Sequence, residues 1–390
     1  MVLPRLLPSL FAFALMLALG GCAGGAAVPL VARTAETPTA PASAIVGRHA
    51  IFVATTRAED PRPGYVFGGG RSQTANFARV DMTVPAAHKA GTIERRTGSV
   101  AEPSKFFTAE RVIGFRNDAV FKAALRADIR RNGGRALVFI HGYRNNFDDA
   151  VYRLTQIVQD SGYKGTPVLF SWASAGSTLE YVYDSNSATA ARDELEATLR
   201  AVAEAGATKI DVIAHSMGNW VTVEALRQLA IAGDKDLGGR LGDVVLASPD
   251  IDVDVFRAQM RRYGKPRREF AVLVSADDRA LRLSGLIAGS KPRLGDYRQA
   301  ADLARLGVTI VDLSNVRASD SLAHTKFADS PQLLRLLGQR LAEDESRGAG
   351  QGQITERVNS LAQGLGQTLG SAADIVITTP VDVLRIAVGR

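Results

Sequence analysis

The chain has 390 residues, 46% of them hydrophobic and 22% charged. That is material for one large domain or two small ones with a sizeable core, and it excludes a disordered chain or a polytopic membrane protein. The formal net charge is +7, but Lys and Arg are scattered with no aromatic residues interleaved, so no nucleic-acid partner is expected. Plain solubility, or attraction to an anionic lipid surface, accounts for the excess.

The N-terminus carries its own information. Arg5 precedes an apolar run over residues 6–19, followed by small residues; this is the pattern of a secretory signal, too short for a membrane span. The lone cysteine, Cys22, follows Leu19-Gly20-Gly21, which resembles a bacterial lipobox. Residues 1–21 are therefore expected to be a lipoprotein signal peptide and Cys22 the lipidated first residue, with several acyl chains giving stable anchoring. Ala23 at the next position, with no aspartate there, fits sorting to the outer membrane, facing the periplasm. Residues 22–44, rich in Ala, Pro, Thr and Gly, read as a flexible tether.

The folded domain is expected over residues 45–345. Residues 49–55 and 78–84 read as the first two strands, with a Gly/Pro-rich loop at 61–72 between them and a connecting segment at 106–131 that ends in a helix. Residues 136–142 form an apolar run that predicts a strand buried on both faces. Strands at 167–172, 209–215, 243–247, 270–275 and 307–313 alternate with helical spacing at 147–160, 187–205, 217–233, 255–262, 297–306 and 331–342. Strand–helix alternation predicts right-handed crossovers: an α/β fold with an eight-stranded, mostly parallel sheet and helices on both faces. Ligands of such sheets sit at the carboxyl ends of the strands. Past residue 347 a Gly-rich hinge leads into a C-terminal tail, 346–390. There Ile354, Val358, Leu361, Leu365 and Leu369 recur at helical spacing, and the apolar stretch 374–388 follows. The tail reads as amphipathic, packing on the domain or lying on a membrane.

Residues 209–218, Lys-Ile-Asp-Val-Ile-Ala-His-Ser-Met-Gly, run a β-branched strand into a small-residue turn and then a helix. That is the context of a nucleophile elbow, with Ser216 at its apex and small Ala214 and Gly218 two residues to either side. A serine hydroxyl needs a base, and the base an orienting acid. Of five histidines only His324 lies beyond Ser216, in the loop after the last expected strand, where the order serine–acid–histidine requires the base. Asp278, after the seventh strand, is the preferred acid, and Asp277 the expected helix cap. Asp277 and Asp250 remain alternatives. Backbone donors for an oxyanion are expected from Met217 and from the turn His141-Gly142-Tyr143, where Gly142 lets the chain fold back and Tyr143 offers its N–H. His141 and His215 read as structural, Asp252 and Asp254 as solvated or capping, and Trp172 as either pocket wall or core. No metal-ligand spacing and no phosphate loop occur, so neither metal nor cofactor is expected.

With Ala-His-Ser-Met-Gly at 214–218, His-Gly-Tyr-Arg-Asn at 141–145, Ser-Trp at 171–172, Ser-Pro-Asp-Ile-Asp at 248–252, Ser-Ala-Asp-Asp-Arg-Ala-Leu at 275–281 and Phe-Val-Ala-Thr-Thr-Arg at 52–57, the chain resembles α/β-hydrolases. More narrowly it is similar to a bacterial family of esterase- or lipase-like members without a settled substrate. The resemblance covers residues 48–340. It implies Ser216 as nucleophile, His324 as base and a post-strand aspartate as orienter. The expected function is hydrolysis of carboxylic esters through an acyl-enzyme, with an ester or acyl lipid as substrate and the membrane as partner through the anchor. The rivals are an amidase, thioesterase or acyltransferase with the same groups, and a non-catalytic envelope or lipid-binding lipoprotein.

Overall fold

In the computed structural model, residues 29–31, 40–342, 374–380 and 383–387 are described. The signal peptide, Cys22, most of the tether and the helically spaced part of the tail lie outside them. One mixed sheet runs through the fold, in the order β11-β10-β9-β8-β7-β6-β4-β5-β1-β2-β3. Its centre is parallel: β1 (Ile45–Glu59), β4 (Arg135–Ile140), β5 (Thr166–Ser171), β6 (Lys209–His215), β7 (Leu241–Ala247), β8 (Phe270–Val274) and β9 (Thr309–Asp312). Antiparallel strands flank it, β2 (Phe67–Pro85) and β3 (Thr108–Phe115) on one side, β10 (Asp374–Thr378) and β11 (Val383–Ala387) on the other.

All eight expected strands are present, and three more join them, so the described sheet has eleven strands rather than eight. β3 lies inside the segment read as a connection. Among the described residues it pairs on one side only, and it is half exposed, so its sequence Thr-Ala-Glu-Arg-Val-Ile-Gly-Phe shows no clean alternation. Residues 67–72, expected as loop, are the start of β2. A Cβ on Gly69 would stand 3.0 Å from the Ala175 Cα, so these glycines mark a close backbone approach rather than a flexible turn. Of the tail strand 374–378, residues 376–378 pair antiparallel with β9, and Ile375 and Ile377 are buried. Two helical expectations also change. Residues 187–205 are two helices broken at Ala191, and 297–306 shrinks to one five-residue helix.

Helices cover both faces. One carries α1 (Asp118–Arg131), α3 (Tyr181–Ala190), α4 (Arg192–Glu204), α5 (Gly218–Ile231) and α6 (Val253–Tyr263); the other carries α2 (Phe147–Ser161) with α9 (Lys326–Asp329) and α10 (Pro331–Ala342). The remaining helices, α7 (Arg279–Ile287) and α8 (Ala300–Ala304), follow β8. β4 shows why the centre reads as a continuous apolar run. Ala136, Val138 and Ile140 enter one core while Leu137 and Phe139 enter the other, all of them buried. Each of the four larger side chains is worth about 1.5–3 kcal/mol when fully buried.

The topology sets the site. β5 lies on one side of β4 and β6 on the other, and the helices that follow β4 and β6 pack on opposite faces. The chain therefore diverges at the carboxyl ends of β4 and β6, opening a crevice there. Gly142 and Ser216 occupy those two ends.

Away from the crevice, His88 pins the excursion between β2 and β3 to α2. Its Nδ1 lies 2.7 Å from Glu94 Oε2 and its Nε2 2.7 Å from Asp160 Oδ1. Burial opposes charging the ring, but the hydrogen bonds to Asp160 and Glu94 outweigh it and hold the imidazole above its ordinary 6.5. A group raised on folding contributes stability that is full below its unfolded value and is lost as pH rises through the folded one. The stability gap between the native chain and His88→Gln is therefore expected to be widest on the acid side of pH 6.5, above the carboxylate range, and to narrow toward alkaline pH. Urea melts across that window check it; a gap that widens with pH contradicts the assignment.

Candidate active site

β6 ends in a strained turn. Ser216 has φ 53, a left-handed conformation that costs a non-glycine residue about 1–3 kcal/mol. The surroundings hold it there. The Ser216 N–H donates to Ala247 O (3.0 Å), while Ser216 O accepts from the amides of Asn219 (3.1 Å) and Asp250 (3.2 Å). The Asn219 side chain adds two more bonds, from Nδ2 to Ser216 O (2.8 Å) and to Ala247 O (3.0 Å). Small neighbours are a steric requirement. A Cβ on Gly218 would lie 2.3 Å from His141 O, and one on Gly142 would lie 2.7 Å from Ser216 Cβ. The turn after β4 is thus packed directly against the serine. Both Met217, which begins the α5 end of the elbow, and Tyr143 carry N–H groups that have no protein acceptor among the described residues.

His324 arrives from the loop after β9, directly behind Ala323 at φ 56. Asp320 gathers this loop by accepting from the backbone N–H of Leu322, His324 and Thr325. The His324 Nδ1 lies 2.7 Å from Asp278 Oδ2, and its ring stands 4.8 Å from that of His215, the residue before the serine. Asp278 is fully buried and does two jobs: Oδ1 caps α7 by accepting from Leu281 N–H (3.0 Å), while Oδ2 meets the imidazole. The cap expected of Asp277 is thus made by Asp278, which also faces the imidazole as expected. Asp277 instead binds Lys326 Nζ at 2.7 Å and Ser275 Oγ at 2.5 Å. Asp250, the other alternative, is engaged elsewhere, by Ser284 Oγ (2.7 Å), Tyr181 OH (3.0 Å) and Arg293 Nε (3.0 Å).

The charges fit this arrangement. Burial disfavours the His324 cation, but the Asp278 hydrogen bond and charge, with the fields of Asp250 and Asp320, prevail and raise it above 6.5. His215 is pushed well below 6.5 by burial and then by the neighbouring His324. It stays neutral, with Nε2 near His324 O (3.2 Å) and its ring against Phe327. Asp277 is held below the ordinary carboxylate value: burial works against this, and the Lys326 and Ser275 hydrogen bonds overcome it.

His141 is buried, stacked on Trp172 at 5.0 Å, and Trp172 is fully buried too, so it is core rather than pocket wall. Asp252 caps α6, accepting from Asp254 and Val255 N–H. Asp254 is exposed beside Arg257. Sequence reading missed Lys326, Asn219 and Asp320. Lys326 is the most consequential, since its buried Nζ ties the His324 segment to Asp277, Ser275 and the carbonyls of Leu313 and Ser314. Its only sequence signal is a lysine two residues past the histidine.

Fold and crevice together define an α/β-hydrolase. The chain belongs to the family described as alpha/beta hydrolase of unknown function (DUF900), which matches residues 117–340. Among solved structures it is similar to an esterase of Pyrobaculum calidifontis, with 12% identity and a TM-score of 0.36 over 76% of this chain and 85% of that one. It is also similar to a mutant of the esterase rPPE, at 14% identity and TM-score 0.35, covering 85% of this chain and 96% of that one. Among the curated proteins compared, none matches.

Proposed function

We propose that the protein is a serine esterase in which Ser216, His324 and Asp278 form the catalytic triad. The observation that carries this reading is the 2.7 Å bond from His324 Nδ1 to Asp278 Oδ2, made beside the residue that precedes Ser216. With Nδ1–H donated to the carboxylate, Nε2 is the unprotonated nitrogen available to the Ser216 hydroxyl. Ser216 Oγ attacks the ester carbonyl carbon as its proton passes to His324 Nε2. The resulting oxyanion accepts hydrogen bonds from the Met217 and Tyr143 amides. Collapse expels the alcohol, protonated by the imidazolium, and leaves Ser216 acylated. Water, deprotonated by His324, attacks the acyl carbon; collapse breaks the bond to Ser216 Oγ, which takes the proton back from the imidazolium, and the acid leaves. Asp278 holds the ring and stabilises its cation without taking the proton.

The leader and Cys22 support an exported enzyme, lipid-anchored in the cell envelope at the outer membrane and facing acyl lipids or amphiphilic esters. A fluorophosphonate probe tests the chemistry. Covalent labelling and turnover of p-nitrophenyl esters are both expected in the native chain and both absent in Ser216→Ala; label retained in that variant removes Ser216 from its role.

A further inference from the structure

Arg57 lies two residues past Thr55, the last residue of β1 that pairs with β5, and it is fully buried. Its guanidinium has five N–H groups, and all five find neutral acceptors. Nε donates to Ser171 Oγ at 2.8 Å; Nη1 donates to Gly68 O (2.9 Å) and Ser174 O (2.8 Å); Nη2 donates to Asn145 O (2.7 Å) and meets His141 Nε2 at 3.3 Å. Burial lowers its pKa to about 10, so it is a cation at neutral pH. A buried cation bonded to carbonyls, a hydroxyl and an imidazole is an expensive way to fill space, and its contacts converge on the turn after β4.

The chemistry of that contact has a direction. Arginine only donates, so His141 Nε2 must accept, and the ring proton sits on Nδ1. Ser171 Oγ, 3.0 Å from the same Nε2, accepts from Arg57 Nε and turns its own proton to the ring, so the two donors share the one Nε2 lone pair. The Nδ1–H then donates to Gly142 O at 2.9 Å. Gly142–Tyr143 is a trans peptide, and in a trans peptide C=O and N–H point in opposite directions. Turning the Gly142 carbonyl inward toward His141 therefore turns the Tyr143 N–H outward. Two further bonds hold the rest of the turn: Asn145 O is taken by Arg57, and the Arg144 N–H donates to buried Asp184 at 3.2 Å.

We propose that Arg57 is a positioning residue for the oxyanion donor: by fixing His141 as its Nδ1–H tautomer it aims the Tyr143 amide at the reacting carbonyl. The inference rests on the esterase reading above. Arg57 touches no substrate; it acts through His141 and the Gly142 carbonyl. Lysine keeps the charge but has no planar fork, so it cannot serve Asn145 O, Ser174 O and His141 together.

The test uses the full chain and counts competent sites by end-point fluorophosphonate labelling, so that loss of folded protein is separated from loss of rate. In Arg57→Lys, kcat per labelled site for p-nitrophenyl acetate is expected to fall about 100-fold with KM little changed. His141→Gln keeps a polar atom at the Nε2 position and lacks one at Nδ1; it is expected to fall by a similar factor. Because the two act in one series, the double variant is expected to be within about threefold of the worse single one. Inhibition by a trifluoromethyl ketone, which mimics the tetrahedral intermediate, weakens in step with kcat/KM. A per-site rate in Arg57→Lys within about threefold of native overturns the proposal, and so do losses that multiply in the double variant. Should Arg57→Lys yield no folded chain, an undiminished per-site rate in His141→Gln overturns it alone. A native chain that takes no label at Ser216 sinks the esterase reading and this inference together, whereas labelling with unchanged variants sinks only the inference.

Discussion

Asp278→Asn is expected to lower kcat on a soluble ester by roughly 10⁴-fold while barely moving the melting temperature. The two oxygens of Asp278 separate these effects. Oδ1 caps α7 through Leu281 N–H, and an asparagine carbonyl can keep that bond. Oδ2 faces His324 Nδ1, and an amide NH₂ placed there forces the ring to accept at Nδ1 and carry its proton on Nε2, the wrong tautomer for a base. The pH profile gives a second readout. Only neutral His324 can take the serine proton, and the Asp278 carboxylate raises its pKa despite burial, so activity should rise with pH through a value above 6.5. Sign and cause are linked: with the carboxylate gone, the cation loses its main support, and the residual activity of Asp278→Asn should begin to rise at lower pH than in the native chain. Stopped assays across pH 5–9, about two units to either side of neutrality, read both quantities. An equal fall in kcat and melting temperature would make Asp278 a structural residue only.

The second large effect is expected at Gly142. Alanine there would bring a methyl carbon to 2.7 Å from Ser216 Cβ, 3.0 Å from His215 Nδ1 and 3.2 Å from His215 O. None of these is the free end of a flexible side chain, so either the serine or the turn after β4 must move. A displacement on the order of 1 Å costs about 100-fold in rate, and overpacking of this kind costs about 1–3 kcal/mol of stability. Turnover per labelled site and thermal melts of Gly142→Ala measure the two costs. Gly114→Ala is the control, because a Cβ at that β3 position meets nothing within 4 Å. Native-like turnover in Gly142→Ala would mean that the crevice is looser than these contacts require.

Where patterns are local, the sequence was readable. β4 and β6 announce themselves as apolar, β-branched runs because both of their faces are buried. The elbow is visible because a left-handed serine tolerates only small neighbours, and Ala214 and Gly218 are small. β3 was not visible, because a half-exposed strand near the sheet edge has no strict alternation to display. Gly68 to Gly70 misled for a related reason: glycine in a strand and glycine in a loop look alike until the backbone that crowds Gly69 is known. Trp172 could line a pocket or fill a core on sequence grounds, and its complete burial under the turn after β4 decides for the core.

The chain order of serine, aspartate pair and histidine, the strand–helix alternation and the α/β-hydrolase class were determined by the sequence alone, since each depends on residue type and spacing along a single segment. The choice between Asp277 and Asp278 was not. It is made by a closure across 46 positions, where His324 meets Asp278 and Lys326 takes Asp277. Adjacent side chains at a turn point in different directions, and only the packing of the His324 loop against the end of β8 decides which carboxylate faces the imidazole. The same holds for Arg57, whose importance comes from five acceptors spread from residue 68 to residue 174, brought around one guanidinium by the sheet and by nothing in the local sequence.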